Sequence, residues 1–288
     1  GGYDPSQYRQ QRLWASAPDG AQIPMSIVYR ADVVPSGANP GLLYGYGAYE
    51  ICIDPWFSAA RLSYLDRGLV YAVAHVRGGG EMGRGWYEDG RMEHKANTFT
   101  DFVACADHLV ASGWVAPGRL AAEGGSAGGL LLGAALNLAP DRFAVAHAAV
   151  PFVDALTTVL DPSLPLTVVE WEEWGDPLHD ALVYAQMRGY TPYENIQRAR
   201  YPAILATTGL NDTRVFYVEP AKWVTRLREQ ATNDPVRQPI LLKTEMVAGH
   251  GGKTGRYNAW RDAAFEMAFI LDHLGAASAI RDAPNVGE

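Results

Sequence analysis

Residues 119–138, RLAAEGGSAGGLLLGAALNL, give the clearest indication of the fold. A short apolar strand, Arg119–Ala122, runs into a glycine-rich turn, and a helix rich in Ala and Leu, Ala127–Leu138, follows. Ser126 lies between them in a G-x-S-x-G match, whose glycines leave room for a sharp strand-to-helix turn that exposes the serine hydroxyl. The N–H of Ala127 opens the helix there and can stabilise an oxyanion. The stretch predicts a nucleophilic serine; the alternative is a tight turn with an idle serine.

Strands and helices alternate along the rest of the chain after an opening hairpin. The predicted strands are Arg12–Ala17, Ile23–Arg30, Gly41–Tyr46, Leu69–Val76, Phe143–Val150, Pro202–Thr208 and Pro239–Glu245, and the predicted helices are Thr98–Ala111, Glu219–Gln230 and Arg256–Leu274. Thr98 and Asp101 have the spacing of a capping box. The segment Pro151–Tyr201 is predicted to be a long irregular excursion over the sheet. This alternation indicates one α/β domain over residues 1–288, with a mostly parallel sheet covered by helices on both faces.

The acid and base that a serine nucleophile needs are predicted at the ends of two later strands. Asp212 follows the strand Pro202–Thr208, and His250 lies in a glycine-rich loop after Pro239–Glu245. The alternatives are a helix-capping role for Asp212 and a surface-loop position for His250. The chain order Ser, Asp, His is that of the α/β-hydrolase fold. We therefore predict an α/β-hydrolase with the triad Ser126, Asp212 and His250.

Composition narrows the partners. The chain has 288 residues, of which 48% are hydrophobic and 19% charged, with a formal net charge of -8. An acidic balance argues against nucleic acid as a partner, and no apolar stretch is long enough for a membrane span. Cys52 and Cys105 are interpreted as buried thiols, which suits a reducing compartment and predicts a cytoplasmic protein.

The sequence predicts no cofactor and no metal site. The sequence has no P-loop lysine motif, no H-E-x-x-H and no paired C-x-x-C. Gly78, Gly80 and Gly83 match the dinucleotide pattern G-x-G-x-x-G after a strand, but that pattern requires a helix to open at once. The segment from Arg84 is instead predicted to continue as a loop up to the helix near Thr98, so no cofactor is expected.

Several separate motifs resemble the prolyl oligopeptidase family, in the right order and over nearly the whole chain. They are Tyr44-Gly45-Tyr46-Gly47, His75-Val76-Arg77-Gly78-Gly79-Gly80-Glu81, the Ser126 turn, and Ala248-Gly249-His250-Gly251-Gly252. The oligopeptidase B branch of the family is most similar, through Pro151-Phe152-Val153-Asp154 and Glu170-Trp171-Glu172-Glu173-Trp174-Gly175. Members of that branch cleave short peptides after Arg or Lys.

The resemblance also assigns roles in substrate binding. It implies that the hydroxyl of Tyr46 joins the N–H of Ala127 in the oxyanion hole. It implies that Glu170 and Glu172 bind a basic P1 side chain, as two carboxylates can hold a guanidinium by charge-assisted hydrogen bonds; the alternative is a solvated acidic loop. It implies that Arg214 contacts substrate carbonyl groups, and the alternative there is a surface salt bridge.

Two departures from the family pattern stand out. The oligopeptidase B pattern has two acids that favour a basic P2 residue. Asp54 matches the first, but Trp56 replaces the second. The resemblance therefore implies no basic P2 preference for this chain, and the ring of Trp56 is an alternative surface for stacking on the substrate. Family members also carry a β-propeller that admits only short peptides, and this chain has no room for one. The propeller is therefore expected as a partner domain in the full-length protein.

Three functions are compatible with these residues. The first is a serine oligopeptidase that cleaves short peptides after Arg or Lys. The second is an esterase or acylaminoacyl peptidase of the same fold, in which Glu170 and Glu172 are structural. The third is a catalytically incompetent truncated domain or an interaction module.

Overall fold

An eight-stranded sheet forms the centre of the molecule in this computed structural model, which describes residues 3–277. The strands are β1 (Tyr8–Ser16), β2 (Gln22–Arg30), β3 (Gly41–Tyr44), β4 (Val70–Ala74), β5 (Leu120–Gly125), β6 (Val145–Ala149), β7 (Ala203–Gly209) and β8 (Ile240–Glu245). Their spatial order is β1-β2-β4-β3-β5-β6-β7-β8. β2 pairs antiparallel with β1 and β4, and every other pairing is parallel. The predicted hairpin and mostly parallel sheet are confirmed.

Helices cover both faces of this sheet. Among the described residues they are α1 (Leu62–Leu65), α2 (Arg84–Glu88), α3 (Ala96–Ala111), α4 (Ala127–Leu138), α5 (Ala155–Val159), α6 (Thr167–Trp174), α7 (Ala181–Tyr190), α8 (Val218–Gln230) and α9 (Arg256–His273). Successive side chains of a strand point to opposite faces. Leu43 therefore belongs to the core with α3, α4 and α8, whereas Leu42 belongs to the core with α1 and α9. Because both faces are covered, strands such as β4 are apolar and buried throughout.

The parallel strands bring distant parts of the chain to one edge of the sheet. β3, β5, β7 and β8 all run in the same direction, so their carboxyl ends lie together. Tyr46 follows β3, Ser126 follows β5, Asp212 follows β7, and His250 follows β8. In open α/β sheets, ligands bind in the crevice outside the carboxyl ends of the strands, which is this edge.

The segment Pro151–Tyr201 differs from the irregular excursion that we predicted. It contains the helices α5, α6 and α7. α7 has a regular start, since the side chain of Asp180 accepts the N–H of Leu182 at 2.8 Å. α5 and α6 span only five and eight residues, which is too short for a clear helical period in the sequence.

The predicted capping box at Thr98 and Asp101 was wrong. α3 already begins at Ala96, and both side chains are fully buried. The Thr98 hydroxyl donates to the carbonyl oxygen of Arg77 at 2.7 Å, and the Asp101 carboxylate accepts two hydrogen bonds from the Arg77 guanidinium, at 2.6 and 2.9 Å. These side chains hold the loop after β4 instead of capping the helix.

The two cysteines have different environments. Cys105 is buried as predicted, but Cys52 is exposed, and both are free thiols. Cys52 lies in an irregular segment just after the turn at Tyr49 and Glu50, whose φ angles are positive, at 59° and 58°. Between residues 3 and 277, no helix is both long and apolar enough to cross a bilayer.

Candidate active site

Ser126 occupies a strained turn between β5 and α4. Its φ of 56° and ψ of -119° are unfavourable for a residue with a side chain. The flanking glycines make this turn possible: a Cβ on Gly124 would lie 2.3 Å from the carbonyl oxygen of Gly128, and one on Gly128 would lie 2.7 Å from that of Gly45. The Ser126 N–H donates to the carbonyl oxygen of Ala149 at 2.9 Å, which fixes the turn against β6.

Ser126, His250 and Asp212 form a hydrogen-bonded chain, as the strand order predicts. His250 Nε2 lies 3.2 Å from Ser126 Oγ, and His250 Nδ1 lies 2.7 Å from Asp212 Oδ2. In the tautomer that the aspartate favours, Nδ1–H donates to Asp212 and Nε2 accepts the serine proton. The arrangement can therefore remove the proton of the Ser126 hydroxyl as that oxygen attacks.

Asp212 is held in place by the backbone of its own loop. Its side chain is fully buried, and its second oxygen, Oδ1, accepts the N–H groups of Arg214 and Val215 at 2.9 and 3.0 Å. These bonds compensate the burial of a charge and leave Oδ2 aimed at His250. The helix-capping alternative is not needed, because α8 begins only at Val218.

A cavity of about 340 Å³ opens beside Ser126 and is lined by both predicted oxyanion donors, Tyr46 and Ala127. Ala127 is the first residue of α4, so its N–H has no partner within the helix. Tyr46 is partly buried, and desolvation together with the nearby Tyr44 and Glu170 raises its pKa to about 12. Its hydroxyl thus stays protonated and can donate over the whole neutral range.

Glu170 is the acid that faces this cavity. It is half-buried in α6, and its Oε2 accepts hydrogen bonds from the Tyr49 hydroxyl at 2.6 Å and from Trp174 Nε1 at 2.8 Å. Within the described part of the chain, no hydrogen bond involves Oε1. One oxygen of the carboxylate is therefore fixed, and the other remains for a ligand.

Glu172 does not join Glu170, so the predicted pair of P1 acids is not a pair at the cavity. Glu172 is exposed and is not one of the described residues that line the cavity. Two residues of helix correspond to about 200° of rotation, which places the two acids on different faces of α6. The second acid on the inner face is Glu173, which our sequence reasoning missed. It is buried and accepts from the Tyr49 N–H at 2.9 Å and from the Tyr87 hydroxyl at 2.6 Å.

The other three residues predicted to contact substrate, Arg214, Trp56 and Asp54, do not lie together. Arg214 is exposed and lines the cavity beside Ser126, and none of the described residues forms an ion pair with it. Trp56 instead lines a separate cavity of about 630 Å³ between the β1–β2 hairpin and α1. Asp54 is exposed and lines neither of these two cavities in the described structure. Neither Asp54 nor Trp56 lines the cavity beside Ser126, so the described structure does not support a P2 contact by either residue.

The glycines of the dinucleotide pattern pack the loop after β4. A Cβ on Gly78 would lie 2.3 Å from the carbonyl oxygen of Gly47, so this glycine allows two backbone segments to touch. Our expectation of a continuous loop from Arg84 was wrong, because α2 begins there, but it ends after five residues at Glu88. In the region from residue 3 to 277, no group of His, Cys, Asp and Glu side chains is arranged to hold a metal ion.

The sheet, the turn at Ser126 and the chain order Ser, Asp, His place the molecule in the α/β-hydrolase class. A model of the prolyl oligopeptidase family matches residues 55–277, and the chain belongs to this family.

Curated relatives and solved structures agree with this assignment. Protease 2 from Moraxella lacunata is 52% identical over 275 residues, which cover 96% of this chain and 39% of the relative. Dipeptidyl aminopeptidase BI from Pseudoxanthomonas mexicana is 51% identical over 278 residues, covering 96% and 38%. The structure of oligopeptidase B from Trypanosoma brucei matches with a TM-score of 0.94 and 48% identity, covering 98% of this chain and 39% of that one. The chain thus spans about two fifths of the length of these relatives.

Proposed function

We propose that this chain is the catalytic part of a serine oligopeptidase that cleaves peptide bonds after Arg or Lys. The observation that carries the proposal is one cavity that holds both the hydrogen-bonded Ser126 and the half-free carboxylate of Glu170. Membership of a peptidase family and the similarity to oligopeptidase B support it. The Trypanosoma brucei enzyme is described with covalently bound antipain, and covalent capture is what a nucleophilic serine permits.

The proposed reaction is acyl transfer in two steps. Ser126 Oγ attacks the carbonyl carbon while His250 Nε2 takes its proton, and the oxyanion that forms receives hydrogen bonds from Tyr46 and from the Ala127 N–H. His250 then gives the proton to the leaving amine, which leaves an acyl-enzyme. Water attacks this ester with the same base, and Asp212 stabilises the imidazolium in both steps.

Specificity for a basic P1 residue follows from the wall of the cavity. Oε1 of Glu170 is open to a cation, whereas Oε2 already accepts two donors. A guanidinium or an ammonium can therefore be bound end-on, so Arg and Lys are both accepted. The aromatic rings of Tyr46, Tyr49 and Phe152 line the same cavity and favour a cation over a neutral polar group.

The substrate size, the partner domain and the cellular location are also proposals. The substrates are short peptides, and the parts of the longer relatives that this chain does not match are where we expect the β-propeller that limits substrate size. A cytoplasmic location is proposed from the two free thiols, which a reducing compartment preserves.

The test compares hydrolysis of arginyl and alanyl p-nitroanilides, with Ser126→Ala as the control. We expect arginine-selective turnover that disappears in the control. Preferential turnover of a neutral ester would replace this proposal by the esterase alternative. A folded sample that hydrolyses none of these substrates would favour the incompetent domain.

A further inference from the structure

Lys95 is a buried cation next to the candidate active site. It is 1% exposed, and the part of the chain that the structure describes offers it no ion pair. Its Nζ donates to the carbonyl oxygens of Gly47 at 2.5 Å and Gly90 at 3.1 Å, and it lies 5.1 Å from the ring centroid of Trp174. Lys95 thus connects three segments that are far apart in sequence.

The contacts of Lys95 with Gly47 and Trp174 connect it to residues that line the cavity beside Ser126. Gly47 directly follows Tyr46, and it is tightly enclosed, since a Cβ on it would lie 2.5 Å from Thr98 Cγ2. Trp174 Nε1 donates to Glu170, so the ring that faces the ammonium also fixes the acid of the cavity. Lys95 therefore reaches both the oxyanion donor and the P1 acid, each through one intermediate residue.

The charge of Lys95 opposes folding. Desolvation lowers the pKa of Lys95 to about 8, and Glu173 offsets this only in part. The unfolded chain binds this proton up to a pKa near 10.5, so the contribution of Lys95 to stability rises as the pH increases from about 8 to 10.5. At neutral pH the full penalty applies. Packing alone does not account for a charged amine at this position, because an apolar side chain of similar length would avoid the penalty.

We propose that Lys95 is a positioning residue that holds the Tyr46 turn and the Trp174–Glu170 wall in one rigid arrangement, so that oxyanion stabilisation and P1 recognition depend on the same buried ammonium. This inference rests on the proposed peptidase function.

The ionisable groups around Lys95 are linked through Glu173 of α6. This carboxylate acts directly on the charge of Lys95 and accepts from Tyr87 of α2. It also contributes to the raised pKa of Tyr49, in the loop after β3, and of Tyr190 on α7. Both tyrosines stay protonated through pH 10, so Lys95 is the member of this group that changes charge between pH 7 and 10.

The experiment measures kcat/KM of the full chain for an arginyl p-nitroanilide from pH 6 to 10, in the wild type, Lys95→Met and Thr98→Val. The substrate carries a blocked α-amino group, so that its guanidinium is its only titratable group and stays charged over this range. Thr98→Val is the matched control. It removes a buried hydroxyl that shares the Gly90 acceptor with Lys95, but valine keeps the methyl group that packs next to Gly47.

We expect Lys95→Met to lower kcat/KM by about 10- to 100-fold at pH 7, a fraction of the effect of deleting an oxyanion donor. The arginyl-to-alanyl ratio also falls, and the melting temperature does not fall in parallel. The wild type loses activity above about pH 8, and Lys95→Met lacks this alkaline decline. Thr98→Val keeps both the rate and the decline.

Two outcomes separate the inference from the function on which it rests. Arginine-selective turnover that is equal in the wild type and Lys95→Met, with the same alkaline decline, overturns the inference and leaves the peptidase proposal intact. A wild type without arginine-selective turnover overturns the peptidase proposal and the inference with it.

Discussion

Replacement of Glu170 by Gln tests how the cavity recognises a cation. The substitution removes the charge but keeps an amide oxygen that can accept from the Tyr49 hydroxyl and Trp174 Nε1. Shape and packing are therefore retained. At about 4 Å from a cation and an effective dielectric constant of ~20, a unit charge contributes roughly 4 kcal/mol.

The measurable loss is smaller, because Glu170 is only half-buried and solvent screens the pair. A contribution of about 2 kcal/mol corresponds to a ~30-fold decrease in kcat/KM for arginyl substrates. Alanyl substrates lack the cation, so their kcat/KM stays the same and the arginyl-to-alanyl ratio falls by the same factor.

The assay is steady-state hydrolysis of the two p-nitroanilides, and Glu172→Gln is the matched control. It removes the same charge from the same helix, two residues away, at an exposed position that does not line the described cavity. We expect this control to behave as the wild type. A loss of selectivity in Glu172→Gln equal to that in Glu170→Gln would refute the one-acid description and support the pair that the family resemblance implies.

Three further outcomes are expected. Asp212→Asn leaves the fold intact but lowers kcat by about 10⁴-fold, because His250 then takes the wrong tautomer; an unchanged melting temperature would accompany the loss, and near-normal kcat would contradict the triad. Gly128→Ala places a methyl group 2.7 Å from the Gly45 carbonyl oxygen and 3.3 Å from Tyr46 Cα. We expect kcat to fall by about 10²-fold, because Tyr46, the proposed oxyanion donor, has to move. Full activity of the variant would show that the turn can relax. Burial raises the pKa of Glu219 to about 8. Its contribution to stability is therefore complete below pH 4.5 and is lost as the pH rises through 8, so the melting temperature of the wild type should fall between pH 5 and 8. Glu219→Gln should make this fall shallower, and an equally steep fall in the variant would exclude Glu219 as its source.

The placement of the three proposed triad residues was predictable because it depends on topology. Once β5, β7 and β8 are identified as parallel strands, residues just after their ends must meet at one edge of the sheet. Ser126, Asp212 and His250 satisfy this condition at separations of 86 and 38 residues, which no local pattern encodes. Most other strand ends were predicted to within two residues, since strands buried on both faces form continuous apolar runs. Two ends were wrong by more: β1 begins at Tyr8 instead of Arg12, and β5 ends at Gly125 instead of Ala122.

The cavity wall that carries Glu170 was harder to predict, because it depends on which residues of a short helix share a face. A spacing of two residues between Glu170 and Glu172 suggests a shared face only in a strand. In a helix, Glu170 shares its face with Glu173 and Trp174, at spacings of three and four. That spacing is visible in the sequence and would have identified Glu173 if α6 had been recognised as a helix. The capping role assigned to Thr98 failed similarly, because a local pattern cannot show that Arg77 needs a partner.

The proposed P1 acid and the proposed triad belong to separate parts of the chain, and this separation bears on how substrate preference could change among related chains. Glu170 belongs to the helical segment between β6 and β7, whereas Ser126, Asp212 and His250 follow strands of the sheet. Insertions, deletions and substitutions in that segment can change which side chain the enzyme accepts while the reacting atoms keep their geometry. Changes in the single segment between β6 and β7 could thus alter substrate preference during evolution. The same segment could be exchanged between family members by protein engineering.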